Sequence, residues 1–280
     1  MKFLYQLLIF GVVMLVSVPS TQAQIFKKLK NKIEKEAEKA VDKQLNKNSK
    51  NNGIIEDNSS NNSNRIQIEK SNAFMPGDSL VYTTNFNHLP TGSMSKQWKT
   101  TGSGSIVKIS RFPGKWLNMS ERTSYKLKRT INYPDRFTVE FDLIVAAEKV
   151  DDLSSLYFGF SKDNSLSRWI SSNNNIWYTE LQYMNDNDFV VSSRVRDLYR
   201  SGNFDLAIYA NQKMHVAIAV DGDRVQVYLD DTKIADSELF RGQKFKHFFI
   251  SSPLQSDNGA SVLFGNFRIN TYSNSFGILN

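Results

Sequence analysis

The sequence predicts an all-β fold, a two-sheet antiparallel sandwich of the jelly-roll kind, preceded by an amphipathic helix and a disordered linker. In residues 137–143 apolar and polar side chains alternate strictly, which places the apolar set on the buried face of a strand. Residues 215–234 repeat this alternation on both sides of Asp221-Gly222, a tight-turn signal. From residue 72 to 272 short alternating segments are separated by Gly, Asn, Asp and Ser, the texture of an all-β domain.

Residues 1–23 have the pattern of a secretory signal peptide. Lys2 precedes an apolar run from Phe3 to Val18, and small residues follow up to Ala23. The run is short for a membrane span, so we expect cleavage after Ala23. The chain has no cysteine, and export without disulfides is typical of a bacterial envelope. We therefore expect an exported protein that is periplasmic, outer-membrane-associated or extracellular.

The next two segments differ from the predicted domain. Residues 24–47 predict a charged amphipathic helix, because Lys and Glu interleave around an apolar residue at every fourth position: Ile25, Leu29, Ile33, Ala37 and Val41. Such a helix can contact an anionic membrane surface, form a short coiled coil or act as a spacer, and the sequence leaves these alternatives open. Residues 48–71 are rich in Asn and Ser and predict a disordered linker.

Most of the net positive charge precedes the domain. The chain has a formal net charge of +7, and residues 24–50 supply +5 of it through nine Lys against four acidic residues. Residues 51–280 hold 25 basic and 24 acidic residues. A nucleic-acid-binding domain concentrates Lys and Arg on its folded surface, so we expect no nucleic-acid partner.

The first predicted hairpin joins residues 216–220 to residues 225–229. Its Val, Ile and Leu side chains fall on one face, and Asp221-Gly222 supplies the turn between the strands. These positions are therefore expected to face the core.

The second predicted hairpin joins residues 176–183 to residues 189–197 through Asn185–Asp188. Alternation puts Trp177, Leu181 and Tyr183 on one face and Tyr178, Glu180 and Gln182 on the other. Residues 260–269 predict a closing strand that pairs beside an early strand.

Five motifs carry a resemblance to a known family: Met75 to Leu80, Thr84 to Phe86, Gly92 to Trp98, Gly114 to Leu117 and Tyr133 to Asp142. Together they resemble the concanavalin-A-like, laminin-G-like domain of Gram-negative envelope proteins of the outer-membrane-protein-A type. The resemblance implies a jelly-roll domain over residues 72–273 with a tail over 274–280, and places Trp98 and Trp116 at core positions. Many relatives continue into a peptidoglycan-binding domain, which we expect to be absent after Asn280.

Glu140 and Asp142 suggest an enzymatic hypothesis. Retaining glucanases on this fold carry the pattern Glu-x-Asp-x-x-Glu, in which two carboxylates about 5.5 Å apart serve as nucleophile and acid. Here the last position of the pattern is Val145, so the acid/base partner is missing. We therefore expect no enzymatic activity, keep polysaccharide hydrolysis as a distant third alternative, and expect the two carboxylates to face solvent.

Glycan binding requires an aromatic ring beside a few polar groups on a shallow face. The candidate ligand-binding residues are Trp169, Tyr178, Glu180, Gln182, Arg194, Arg196, Glu140 and Asp142. Alternation fixes a shared face only within one strand, so their convergence stays open, and Trp169 has the alternative role of covering the core. The favoured function is non-enzymatic binding of a glycan or a surface partner; the alternative is a structural or protein-interaction module of the cell envelope.

Calcium is the one cofactor that the loops suggest. Asn185–Asp188, Asp151-Asp152 and Asp230-Asp231 supply oxygen ligands, but such clusters usually form turns. Three His and no Cys argue against zinc and iron. We therefore expect no cofactor and no metal site.

Overall fold

The computed structural model describes residues 74–184, 188–240, 242 and 247–273 of the 280-residue chain. The predicted signal peptide, amphipathic helix, linker and tail lie outside these residues. The described part of the chain is all-β, as predicted, and its only helical segments are short 3₁₀ turns at Val150–Asp152, Ile170–Ser172 and Leu206–Tyr209. None of the helices described is long and apolar enough to cross a membrane.

The described residues form fifteen strands. In chain order they are β1 (Ser79–Thr84), β2 (Trp98–Thr100), β3 (Gly104–Val107), β4 (Trp116–Met119), β5 (Ser124–Leu127), β6 (Arg136–Ala146), β7 (Leu156–Ser161), β8 (Ile176–Gln182), β9 (Asp188–Ser193), β10 (Leu198–Asn203), β11 (Lys213–Asp221), β12 (Arg224–Leu229), β13 (Thr232–Glu238), β14 (His247–Ser251) and β15 (Ser261–Thr271).

These strands form two antiparallel sheets. Sheet I has eight strands in the order β13-β12-β11-β6-β15-β4-β3, with β1 pairing with β15 beside β4. Sheet II has seven strands in the order β10-β9-β8-β7-β14-β5-β2. The last strand therefore pairs beside the first, which confirms the predicted closure of the sandwich.

Strand β6 lies in the middle of sheet I, between β11 and β15, and one of its faces is apolar throughout. Phe137, Val139, Phe141 and Leu143 are buried in the main core, as the alternation predicts. Phe141 lies at the centre, where its ring centroid is 5.3 Å from that of Phe158, 5.5 Å from that of Phe248 and 5.4 Å from that of Phe264. The first two of these neighbours belong to sheet II and the third to sheet I, so one ring joins both inner faces.

The two predicted hairpins are confirmed, with one correction. Strands β11 and β12 pair from Val216–Leu229 to Asp221–Arg224, and strands β8 and β9 pair from Trp177–Ser193 to Gln182–Asp188. The second hairpin was predicted to continue to Asp197, but β9 ends at Ser193. Asp197 has φ 50°, a left-handed conformation that fits a turn and not a strand.

Trp116 departs from the core position that the resemblance implies. It is buried, but with Ile144 and Leu263 in a separate cluster, on the outer face of sheet I. A Cβ atom on Gly265 would come within 2.7 Å of the Trp116 ring, so the absent side chain lets the indole lie on β15. Trp98 lies in the main core, as the resemblance implies.

Candidate functional site

The outer face of sheet II is the first candidate site, and strand pairing identifies its residues. Tyr178 on β8 pairs with Ser192 on β9, which pairs with Tyr199 on β10. Two residues further along β8, Glu180 pairs with Tyr157 on β7. Residues that pair directly across strands share a face, and the alternate residues of these strands, such as Trp177, lie in the core.

A small apolar cluster covers the middle of this outer face. Ile170, Ile176, Tyr178 and Phe249 are buried together, and Tyr157 packs against them. The rings of Tyr157 and Tyr178 meet edge to face with centroids 5.7 Å apart. The side chain of Tyr178 is therefore mostly a support for the face, with little surface left for a ligand.

A polar pair adjoins this cluster. The Tyr157 hydroxyl donates a hydrogen bond of 3.0 Å to Glu180 Oε1. Burial raises the pKa of Tyr157, and the charge of Glu180 raises it further. The phenol consequently stays protonated and holds the Glu180 carboxylate in place. The second carboxylate oxygen accepts no hydrogen bond from the residues described and can accept one from a ligand.

The loop between β7 and β8, residues 162–175, is fixed to the same face by two lysines. Lys126 is fully buried, and its ammonium donates to Ser161 Oγ at 2.6 Å, to the Asp163 carbonyl at 3.1 Å and to the Ser165 carbonyl at 2.6 Å. Burial lowers the pKa of Lys126 to about 8. Lys99 donates to the Asn164 carbonyl from the neighbouring strand β2.

This loop displays Trp169. The residue after it, Ile170, is buried in the cluster described above, whereas Trp169 itself is 56% exposed. Tyr199, on the edge strand of the same face, is 61% exposed. These are the only large aromatic side chains with that exposure among the residues described. Tyr199 lies on the outer face of sheet II, and Trp169 adjoins it through Ile170.

Replacing Lys126 by methionine is expected to loosen this loop with little loss of global stability. Methionine removes the buried charge together with its desolvation cost, which offsets part of the loss of the three hydrogen bonds. The loop carbonyls lose their donor, so amide hydrogen exchange over residues 162–175 should accelerate about tenfold or more. Hydrogen exchange measured by mass spectrometry tests this, and Lys128→Met, at an exposed lysine, is the control. An unchanged exchange rate in residues 162–175 would show that Lys126 does not hold the loop in place.

The structure brings some of the predicted site residues together and separates others. Tyr178, Glu180 and Gln182 share the outer face of sheet II, and Trp169 lies in the loop whose Ile170 packs on that face. Arg194 is exposed at the end of β9, where its main-chain N–H donates to the Ile176 carbonyl. Arg196 instead forms an ion pair of 3.2 Å with Glu238 of sheet I. Glu140 and Asp142 lie on sheet I.

Sequence reasoning missed Tyr199, Tyr157 and Lys126. Tyr199 follows Leu198, which packs against the core, so alternation within β10 would have found it if the turn at Asp197 had been recognised. Lys126 gives no such signal, because its burial depends on a loop from a different part of the chain.

Glu140 and Asp142 are buried on the outer face of sheet I, which corrects the expectation that they face solvent. His215 pairs directly with Asp142 across β11 and β6, and its ring lies 2.8 Å from Asp142 Oδ1 and 3.3 Å from Glu140 Oε2. Arg268 donates to Glu140. Asn266 donates to Asp142 at 2.8 Å from a bulge in β15, where its φ is 51°.

These contacts decide the protonation of the pair. Burial alone would raise the pKa of Glu140 and of Asp142, but hydrogen bonds, from His215 above all, outweigh it and lower both pKa values. The hydrogen bonds to Asp142 and Glu140 raise the pKa of His215 to about 9. A glycosidase acid needs a raised carboxyl pKa, and here both carboxyl pKa values are lowered within an ion cluster that includes His215 and Arg268.

Two of the loop carboxylates suggested as calcium ligands already accept hydrogen bonds, and residues 185–187 of the third cluster lie outside the described residues. Both carboxylate oxygens of Asp230 accept hydrogen bonds, one from the Tyr209 hydroxyl at 2.5 Å and the other from the main-chain N–H of His215 at 2.7 Å. Asp152 accepts a hydrogen bond of 2.8 Å from Asn258. Within the residues described, no three His, Cys, Asp or Glu side chains are placed to hold a metal ion.

Comparisons with known proteins identify the fold. The sequence matches no model of a protein family and no curated protein. A galactose complex of the lectin UEA-II covers 70% of this chain and 100% of its own, with 15% identity and a TM-score of 0.52. The calcium-bound exoplasmic/lumenal domain of VIP36 covers 67% of this chain and 88% of its own, with 12% identity and a TM-score of 0.50. The described sandwich therefore has the jelly-roll fold of legume-type lectins.

Proposed function

We propose that the protein binds a glycan without turning it over, and that the outer face of sheet II is the binding face. The observation that carries this proposal is the display of Trp169 and Tyr199, both more than half exposed, on one face with the held carboxylate of Glu180. An exposed ring stacks on the apolar C–H face of a sugar, and neighbouring polar groups orient its hydroxyls. The lectin fold supports the same reading.

Four residues have assigned roles in this proposal. Trp169 and Tyr199 supply stacking surface, and Glu180 accepts hydrogen bonds from sugar hydroxyls. Lys126 acts indirectly, because its three hydrogen bonds fix the loop that carries Trp169. A loop that is already ordered avoids the entropic cost of ordering on binding, which favours affinity.

A glycan array probed with the purified protein, with and without calcium, tests this function. We expect binding to at least one glycan without a calcium requirement. The double variant Trp169→Ala/Tyr199→Ala should bind that glycan about 30- to 150-fold more weakly, the loss of about 2–3 kcal/mol expected for two stacking residues. Leu80→Ala, which removes a side chain 61% exposed on β1 of sheet I, is the matched control and should bind normally.

We also propose that the protein acts in the bacterial envelope after export. The support is the signal-like pattern of residues 1–23 and the absence of cysteine from the sequence. Mass spectrometry of the protein recovered from its native cells should show an N-terminus at Gln24. An intact Met1 terminus on cytoplasmic material would refute export.

A further inference from the structure

The positive charge of the domain is segregated along the chain, although its total is close to zero. Residues 79–120 contain five Lys or Arg and no Asp or Glu, whereas the rest of residues 74–273 contains 18 basic and 21 acidic residues. Three of the five cations, Lys108, Arg111 and Lys115, lie in the loop 108–115 that joins β3 to β4. This loop therefore concentrates positive charge on a stretch of the domain that has no acidic residue.

The loop itself lines a wide, open groove of about 660 Å³, and Asn87 is the one lining residue from outside the loop. We call it the basic groove. Its apolar underside packs on sheet I, where Phe112 and Ile109 contact the buried cluster around Trp116. The basic groove thus lies on the face opposite to the proposed glycan-binding face of sheet II.

Fixed contacts hold the loop in this shape. The Lys115 N–H donates to Asn87 Oδ1 at 2.9 Å, and the Lys115 ammonium donates to the Leu89 carbonyl. Arg111 donates to the Asn211 carbonyl at 2.9 Å and to Gln212 Oε1 at 3.2 Å. The groove is therefore built before any ligand arrives.

These contacts leave the charge of the loop uncompensated. The acceptors of Arg111 and Lys115 are carbonyl and amide oxygens, and none of the salt bridges among the described residues involves Lys108, Arg111 or Lys115. Arg111 uses two of the five N–H groups of a guanidinium, so the rest remain for a carboxylate.

We propose that the basic groove binds an anionic polysaccharide, a chain that carries carboxylate groups. Charge complementarity selects an anionic partner, and an open groove with cations on a fixed wall suits an extended chain better than a flat membrane. The protein then has two binding faces on opposite sides of the sandwich. One face stacks on sugar rings, and the other pairs with acidic groups.

Binding of polygalacturonate to the full chain at low ionic strength, with neutral dextran as the uncharged comparison, tests the proposal. We expect polygalacturonate to bind, dextran not to compete, and added salt to weaken the complex. Lys108→Glu reverses an exposed charge that has no partner among the residues described, so folding should persist while affinity falls about five- to tenfold. Lys128→Glu, an exposed lysine beyond β5 of sheet II, should bind as the native chain does.

Other outcomes overturn the proposal. If polygalacturonate fails to bind, or if the Lys108 and Lys128 variants lose affinity equally, the basic groove is not the site. If phosphatidylglycerol vesicles bind in a Lys108-dependent way and polygalacturonate does not, the surface belongs to a membrane. The variant Trp169→Ala/Tyr199→Ala must keep its polygalacturonate affinity, and this separates failure here from failure of the glycan-binding face.

Discussion

Replacing Phe141 by alanine is expected to lower the free energy of unfolding by about 3–5 kcal/mol, the range for removing a buried aromatic ring from a packed core. Phe141 is fully buried, and its neighbours Phe158, Phe248 and Phe264 come from both sheets. The backbones of the neighbouring strands are fixed by the hydrogen bonds between strands. The surrounding structure therefore cannot collapse into the cavity that the missing ring leaves.

Urea unfolding followed by circular dichroism measures this effect. Tyr199→Ala is the matched control, because it removes an exposed ring and should change the free energy of unfolding by only about 0.5 kcal/mol. A loss below about 1 kcal/mol for Phe141→Ala would mean that the ring does not join the two sheets as described.

Replacing His215 by leucine is expected to cost about 2–3 kcal/mol at neutral pH. The imidazole bonds to both Glu140 and Asp142, which are almost fully buried. Removing one partner of a buried charge leaves that charge uncompensated, which typically costs about 3–5 kcal/mol. The expected cost is smaller here because His215 is one-third exposed and because Arg268 and Lys213 remain beside the carboxylates.

The same variant carries a pH signature. The folded-state pKa of His215 is raised to about 9 from 6.5, so its contribution to stability is complete below pH 6.5 and is lost as the pH rises through 9. The difference in unfolding free energy between native protein and variant should therefore shrink by about 2 kcal/mol over this interval, after allowance for solvent screening.

Lys126 titrates in an overlapping range with the opposite sign. Its folded-state pKa is lowered to about 8, so it favours the folded protein increasingly as the pH rises above 8. This contribution is present in both proteins and cancels in their difference. A difference that does not change with pH would show that His215 is not protonated between the two carboxylates.

Alternation predicted the elements of this fold because it is a local property of the chain. The inward set of β6 and the Asp221-Gly222 hairpin follow from spacing alone, and both appear in the described structure. The predicted outward set of β8 is also found on one face.

The alternation of residues along a strand could not predict which distant strands lie in the same sheet or which of their side chains meet. Glu140 and Tyr178 are both outward, but on opposite sheets, so the eight predicted site residues do not form one site. The burial of Glu140 depends on partners at 215 and 268, and that of Lys126 on the loop at 162–175. Long-range packing of this kind leaves no trace in the spacing of residues along one strand.

The measurement that tests the glycan-binding face most directly is acrylamide quenching of tryptophan fluorescence with and without the glycan that the array identifies. Trp98, Trp116 and Trp177 are buried, and Trp169 alone of the four is exposed, so the quenchable emission comes from Trp169. We predict that saturating glycan protects this emission and leaves that of a Trp169→Phe variant unchanged. Binding without protection of Trp169, or no binding to any glycan, would contradict the account and favour a structural or protein-interaction module.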